Sequence, residues 1–334
     1  TTLRKGAFWL SIVALIGASL FLVSDLCVQP QQNIQLNNEL VEMYRPDKEE
    51  VISNNPEVPK GTLLSFEDLY ARNKEVSGWL SYHATGRTDF LKIEYPVMFS
   101  GDNLKYVHRD YDGKKNKNGT LFLDGRNEIK GYDDHDQSMI IYGHNMRDGS
   151  QLGALSLYSD IENYRNFPTI KFDTIYKNTE WKIFAAFISN GKAAQDNGYQ
   201  FPYITPNFSS DEKFLEFIEE VKSRSYYTNE AVDIVPGDKI LTISTCDTVF
   251  EDARFVVMAK KITTQITSVT RHIAPNPNGE PASGIPSWFT FIPYKPESTV
   301  GTAMINVMEV KYFITLFRRL SITEDISSLV PLII

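Results

Sequence analysis

Residues 239–262, KILTISTCDTVFEDARFVVMAKKI, contain two apolar runs joined by a short acidic loop. Runs of this length that are rich in Val, Ile and Thr are typical of buried strands. Cys246 ends the first run and Arg254 opens the second. Because the loop between them is short, the stretch predicts a hairpin that brings a thiol and a guanidinium side by side.

The segments before this hairpin predict more strands than helices. SMIIYG at 138–143 is a continuous apolar run, which indicates a buried strand, and residues 168–190 predict a hairpin that turns at YKNTE. Residues 210–227 form the clearest amphipathic helix, with Ser210 or Ser209 as its cap and an apolar stripe of Phe214, Phe217, Ile218 and Val221. The pattern favours a mostly-β barrel or sandwich with inserted helices.

The segment before the first strand predicts short helices. Residues 33–43 can form a helix, and Ser65 is placed to cap a second one because acidic residues follow it in the first turn. We therefore expect residues 30–76 to form a helical stalk that packs on a downstream part of the chain.

Composition limits the function classes. The chain has 334 residues, 12% aromatic residues and a net charge of −8, which fits a globular protein with one sizeable core. A nucleic-acid partner is not expected, because nucleic-acid-binding proteins present a basic patch. The only cysteines are Cys27 and Cys246, so a disulfide scaffold and a zinc site with four cysteine ligands are excluded.

Residues 1–29 predict a membrane anchor. Arg4 and Lys5 precede an apolar run that starts at Ala7 and continues to Val28, and about 20 apolar residues span a bilayer. The run is long for a signal peptide and lacks a small-residue cleavage site. Because positive charge keeps its flank in the cytoplasm, we expect a single-pass protein held by membrane lipid, with its main domain outside the cell. An anchored outer domain without disulfides suggests a Gram-positive-type surface.

Three side chains at strand ends are candidates for chemistry. Cys246 supplies a nucleophile, His144 follows the apolar strand MIIY after one glycine, and Arg254 offers donors to a developing oxyanion. Each of these residues, taken alone, also has an ordinary structural explanation. A lone cysteine is often a small buried residue, and Arg254 has possible surface ion-pair partners in Asp247, Glu251 or Asp252. The other four histidines lie in polar contexts that are typical of the solvated surface.

Together these residues resemble the sortases, cysteine transpeptidases of Gram-positive cell walls. The resemblance rests on IIYGHNM around His144, LTISTCD around Cys246 and the arginine of ARFVV, and it covers roughly residues 35–262. Residues 95–127 and 142–158, and the helix before the cysteine strand, are similar to the class B pattern in particular. The implied fold is a mostly-β, closed sortase-like barrel at residues 77–262, with an N-terminal helical segment and an inserted helix before the Cys246 strand.

The resemblance implies a catalytic cycle. Cys246 attacks the carbonyl of a threonine in the C-terminal sorting motif of a secreted protein, Arg254 stabilises the oxyanion and His144 protonates the leaving amine. A peptidoglycan cross-bridge amine or a pilin lysine then resolves the thioester, and no metal or organic cofactor is required. The residues beside the thiol and the imidazole are expected to contact the substrate: Ser244, Thr245, Asp247 and Asn145.

Two alternative functions fit the same sequence, and the role of one segment is not indicated by it. A cysteine peptidase or amidase that hydrolyses cell-wall peptides would use the same three residues, and a non-enzymatic surface or pilus scaffold would need none of them. Residues 263–334, which begin with a Pro- and Gly-rich stretch, form an extension of unknown role. An accessory segment or a membrane-contacting tail would fit its composition.

Overall fold

The computed structural model describes residues 2–24, 28–44, 50–86, 90–131, 134–196, 198–229, 232–247, 252–262 and 273–275. Its α-helices are α1 Thr2–Val23, α2 Gln29–Met43, α3 Glu67–Arg72, α4 Ile161–Asn166 and α5 Asp211–Arg224. Its strands are β1 Val76–Thr85, β2 Phe90–Met98, β3 Leu121–Leu123, β4 Ser138–Gly143, β5 Thr169–Thr174, β6 Glu180–Ser189, β7 Tyr227–Asn229, β8 Ile240–Cys246, β9 Arg254–Lys261 and β10 Ile273–Pro275. Four short 3-10 helices are Leu64–Phe66, Lys105–His108, Leu155–Ser159 and Ala193–Asp196.

Eight strands close into a barrel, which confirms the predicted mostly-β fold. Their order around the barrel is β1-β2-β3-β4-β8-β9-β6-β5, and β5 pairs with β1 to complete the ring. The pairs β2–β3 and β4–β8 are parallel, and the other pairs are antiparallel. Closure pairs the strands all round, so the barrel has no long open edge.

The strands β8 and β9 are buried on both faces, which explains their continuous apolar sequences. Leu241 and Phe255 face the barrel interior, whereas Val256 and Met258 face α5. The predicted stripe of α5 covers this outer face, and Ser210 caps the helix by accepting a hydrogen bond from the Lys213 backbone N–H. Burial of each large apolar side chain stabilises the fold by about 1.5–3 kcal/mol.

The predicted N-terminal helical segment is present as α2 and α3, and α2 packs against the barrel. Tyr44, directly after α2, donates a hydrogen bond to Asp173 Oδ2 at 2.7 Å and stacks on Trp79 with ring centroids 4.5 Å apart. Burial is the main cause that raises the pKa of Asp173. The predicted cap at Ser65 is wrong: that residue lies within a 3-10 helix, and α3 starts two residues later, at Glu67, without a side-chain cap.

The first helix, α1, lies in the segment that the sequence predicts to be a membrane anchor. Apolar side chains such as Phe8, Trp9 and Leu20 are exposed along it. Within the described part of the chain, no helix is both long enough and apolar enough to cross a membrane. Cys27 lies outside the described residues.

The C-terminal extension contributes one short strand. Residues of β10 pair antiparallel with β7, with Ala274 opposite Thr228, and the two strands form a sheet separate from the barrel. The other residues after Ile262 lie outside the described ranges. All eight barrel strands therefore precede the extension.

Candidate active site

The parallel pairing of β4 and β8 places His144 next to Cys246. Tyr142 pairs with Ser244 and Gly143 with Thr245, so the next residue on each strand is the histidine and the cysteine. Carboxyl ends of parallel neighbours meet at one end of a sheet, where side chains are accessible. A Cβ on Gly143 would lie 2.2 Å from Leu121 Cδ2, which explains why glycine precedes the histidine.

The antiparallel pairing of β8 and β9 places Arg254 on the other side of Cys246. The two residues are direct register partners, as the sequence predicts. Directly paired residues project from the same face of a sheet and have Cβ atoms about 4.5–5.5 Å apart. The thiol is therefore flanked by an imidazole on one side and a guanidinium on the other.

Cys246 is exposed and has no disulfide partner among the described residues. The alternative of a small buried cysteine is thus excluded. The backbone carbonyl of Cys246 accepts a hydrogen bond from Asn145 Nδ2 at 2.9 Å, which ties the strand end of β8 to the loop after β4. This bond fixes the spacing between the loop that carries His144 and the strand that carries the thiol.

His144 is half-buried, and a backbone contact fixes its tautomer. Its Nε2 lies 2.9 Å from the Val107 carbonyl oxygen. Because a carbonyl oxygen can only accept a hydrogen bond, Nε2 must carry a proton. In the neutral ring Nδ1 is then the nitrogen with the lone pair, so Nδ1 is the atom that can exchange a proton during a reaction.

Arg254 is half-buried and is not held by the predicted surface ion pairs that the structure describes. Its Nη1 donates to the carbonyl of Ala253 at 3.0 Å. Asp252 instead pairs with Lys192 at 2.7 Å, and this bond is the main cause that lowers the pKa of Asp252. Glu251 lies outside the described residues. With one described acceptor, the guanidinium keeps donors for another anion.

The four residues predicted to bind substrate fall into two groups. Ser244 and Thr245 are buried: the Ser244 hydroxyl lies 3.0 Å from the Tyr203 hydroxyl, and the Thr245 hydroxyl donates to the Gly143 carbonyl at 2.9 Å. Asn145 and Asp247 are half-buried and lie beside the thiol. A direct contact with substrate is therefore easier for Asn145 and Asp247 than for the two hydroxyl residues.

Sequence patterns did not reveal three neighbours of the site. Tyr203 lies between β6 and α5; burial raises its pKa, and the positive charge of Arg254 opposes that rise. Gln151, with a φ of 49°, accepts from the His144 backbone N–H at 3.4 Å. His108 is exposed, as its polar context predicts, and its ring stacks on that of His144. The described residues contain no cluster of His, Cys, Asp or Glu that could hold a metal ion.

A buried carboxylate braces the strand that carries the histidine. Asp124 accepts hydrogen bonds from Arg126 and, at 2.7 Å, from the hydroxyl of Tyr142 in β4. Arg126 also donates to the carbonyl of Ile204, next to Tyr203. Burial alone would raise the pKa of Asp124, but these donors outweigh it and lower the pKa to about 2.

We expect Asp124→Asn to reduce stability at neutral pH by about 2 kcal/mol, the value of the shift from 3.8 to about 2. The depressed pKa makes the wild-type carboxylate stabilising above pH 3.8, and this contribution is lost as the pH falls through 2. The difference between variant and wild type should therefore shrink between pH 4 and pH 2. Urea unfolding at several pH values measures it, and the exposed Glu219→Gln is the control. A constant difference across that range would contradict the assignment.

Two known proteins match this chain over 74% of their own length. Over 200 residues the chain is 34% identical to "Sortase B" of Listeria monocytogenes, covering 59% of this chain and 74% of the relative. Over 199 residues it is 30% identical to "Sortase B" of Staphylococcus aureus, with the same coverage. A solved Staphylococcus aureus sortase B–substrate complex superposes with a TM-score of 0.57 and 27% identity, covering 71% of this chain and all of that one. No family model matches the chain.

Proposed function

The chain belongs to the sortase B family of cysteine transpeptidases, and we propose that it cleaves a sorting motif after threonine and transfers the acyl group to a cell-wall amine. The observation that carries this proposal is the register of three neighbouring strand ends, which sets Cys246 between His144 and Arg254. One nucleophile, one proton carrier and one oxyanion donor are the groups that acyl transfer requires.

The first half of the reaction forms a thioester. The proton of the Cys246 thiol passes to Nδ1 of His144, and the sulfur attacks the threonine carbonyl of the sorting motif. Negative charge then develops on the carbonyl oxygen, where the guanidinium of Arg254 and backbone N–H groups stabilise it. When the C–N bond breaks, Nδ1 returns its proton to the leaving amine, and the acyl group stays on sulfur.

The second half transfers the acyl group. A primary amine attacks the thioester carbonyl while Nδ1 of His144 takes its proton, and the Cys246 sulfur leaves and regains a proton. The amine belongs either to a peptidoglycan cross-bridge or to a lysine of a pilin. Of the four predicted substrate-binding residues, Asn145 and Asp247 are the less buried pair, and we assign them the contacts with the bound peptide. The solved Staphylococcus aureus relative is a complex with its substrate.

Product analysis separates transfer from hydrolysis. A peptide that carries a sorting motif is incubated with the protein in the presence and absence of a peptide amine, and the products are identified by mass spectrometry. A transpeptidase gives a ligated product that depends on the amine. Hydrolysis alone, at an undiminished rate when amine is present, would support the alternative of a cell-wall peptidase or amidase.

The proposed arrangement in the cell is an N-terminal anchor, a helical segment and an outward-facing barrel. The charge flank and apolar length of residues 1–29 support the anchor, and the packing of α2 and α3 against the barrel supports a helix-containing segment within residues 30–76. Protease treatment of intact protoplasts should then remove the barrel at residues 77–262. Full protection of the barrel would contradict an extracellular location.

We expect truncation after Ile262 to keep both fold and transfer activity. The barrel strands all precede this residue, and the described part of the extension contributes only the three-residue β10, which includes Pro275. Loss of one short pairing should lower the melting temperature by a few degrees at most. Melting curves and turnover of the truncated and full chains measure this. Aggregation or loss of a cooperative transition in the truncated chain would show that the extension packs on the barrel as part of its core.

A further inference from the structure

We propose that His108 is a positioning residue that holds the imidazole of His144 in the plane needed for proton transfer. This inference rests on the proposed role of His144 as the proton carrier. His108 is exposed and lies on the 3-10 helix Lys105–His108, which belongs to neither β4 nor β8. Because His108 contacts the ring of His144, its role in the reaction would be exerted through that residue.

The two imidazole rings stack. Their centroids are 6.1 Å apart and their planes are inclined by 23°. Ring pairs at 4.5–7 Å in an offset, nearly parallel arrangement attract one another more than their buried area alone would give. The stack thus gives the half-buried ring of His144 a flat neighbour on one face.

The hydrogen bond from His144 to Val107 complements the stack. The bond of 2.9 Å fixes the position of Nε2, but the ring can still tilt about that contact. A flat neighbour limits the tilt, and His108 is the residue directly after Val107. Val107 and His108 therefore restrain His144 together. Val107 fixes the position of Nε2, which keeps its proton, and His108 fixes the plane of the ring, which sets the direction of Nδ1.

The 3-10 helix that supplies both contacts is itself held in place. Lys105 pairs with Glu75 at 2.7 Å, and the Tyr106 hydroxyl donates to the same carboxylate at 2.6 Å. Gly119 approaches so closely that a Cβ there would lie 2.4 Å from the Val107 carbonyl oxygen. A support with this many contacts can impose a defined orientation on a reacting side chain.

The proposal predicts a defect in the steps in which Nδ1 of His144 exchanges a proton. His108→Ala should slow acylation by an amide substrate about 5- to 10-fold, because a small misorientation of a reacting group costs rate. The KM for the peptide should be unchanged. His108→Phe retains a flat ring and should restore the rate to within about twofold of wild type. The adjacent Arg109→Ala, which removes an exposed side chain bonded to the Gly113 carbonyl, serves as the matched control and should act as wild type.

Single-turnover acylation of the full chain provides the test, with two substrates that share one acyl group. The first has a peptide amide as the scissile bond, and its amine must be protonated as it leaves. The second is an activated ester, whose leaving group departs without a proton from His144. With the amide, Nδ1 acts twice, because it takes the thiol proton and then returns it to the leaving amine, whereas with the ester it acts only in the first of these transfers. His108→Ala should therefore slow the amide more than the ester.

Three results would overturn the proposal: an amide rate near wild type in His108→Ala, an equal loss in His108→Ala and His108→Phe, or equal slowing of amide and ester. His144→Ala separates these failures from a failure of the proposed function. If His144→Ala acylates the amide at the normal rate, the role of His144 itself is wrong. If it slows the amide and His108→Ala does not, only the role of His108 is wrong.

Discussion

Cys246→Ala abolishes both cleavage of a sorting-motif peptide and transfer of its acyl group to an amine; this is the largest effect we expect from a single substitution. The thiol is exposed at the end of β8 between an imidazole and a guanidinium, and the reaction needs a sulfur to carry the acyl group between the two substrates. Alanine removes that atom and leaves the exposed strand end otherwise unchanged. The melting temperature should therefore stay near that of wild type.

Turnover and intermediate trapping measure this effect. With wild type, mass spectrometry of the protein mixed with substrate and no amine should detect an acyl adduct on the peptide that contains residue 246. Cys27→Ser in the full-length chain is the control, since it removes the only other cysteine and should retain both adduct and turnover. Substantial transfer by Cys246→Ala would exclude the cysteine mechanism and favour a scaffold that acts without this thiol.

Local sequence patterns predicted much of the fold and of the candidate site. The apolar runs that become β4, β8 and β9 were long enough to identify as strands, and each ended at a residue with distinctive chemistry. The short loop after Cys246 made the pairing with Arg254 predictable, because strands joined by a short loop lie next to each other. Helix α5 was predictable together with its Ser210 cap, since both the stripe and the cap are local signals.

Contacts between distant parts of the chain were not predictable in the same way. The parallel pairing of β4 with β8 joins residues about one hundred positions apart, and the bond from Tyr44 to Asp173 spans 129 positions. No local period encodes either contact. The same reason explains why His108 and Tyr203 were missed: each reaches the site through a contact with a residue that is distant in the sequence. The prediction that Ser65 caps a helix was wrong for a different reason: a 3-10 turn contains this residue and displaces the start of α3.

Two explanations account for a guanidinium beside the thiol: Arg254 stabilises the oxyanion, or it orders the loop before β9. If it stabilises the oxyanion, Arg254→Ala should lower turnover of a sorting-motif peptide by about 10²- to 10³-fold, the usual effect of removing one oxyanion donor. Arg254→Lys keeps the charge but lacks the planar fork of donors, so we expect an intermediate loss. Both variants should retain the wild-type melting temperature, because Arg254 forms no ion pair among the described residues and its described bond is to a neighbouring backbone carbonyl.

The competing explanation is that Arg254 only orders the loop before β9. Lys192→Ala tests loop order directly, since it breaks the pair with Asp252 and leaves the guanidinium in place. An exposed pair of this kind contributes about 0–1 kcal/mol, so this variant should melt slightly earlier and turn over normally. Turnover and melting curves for the three variants separate the two explanations. If Arg254→Ala behaved like Lys192→Ala, with near-normal turnover, then Cys246 and His144 would act with backbone donors alone, and the arginine would have no part in the chemistry.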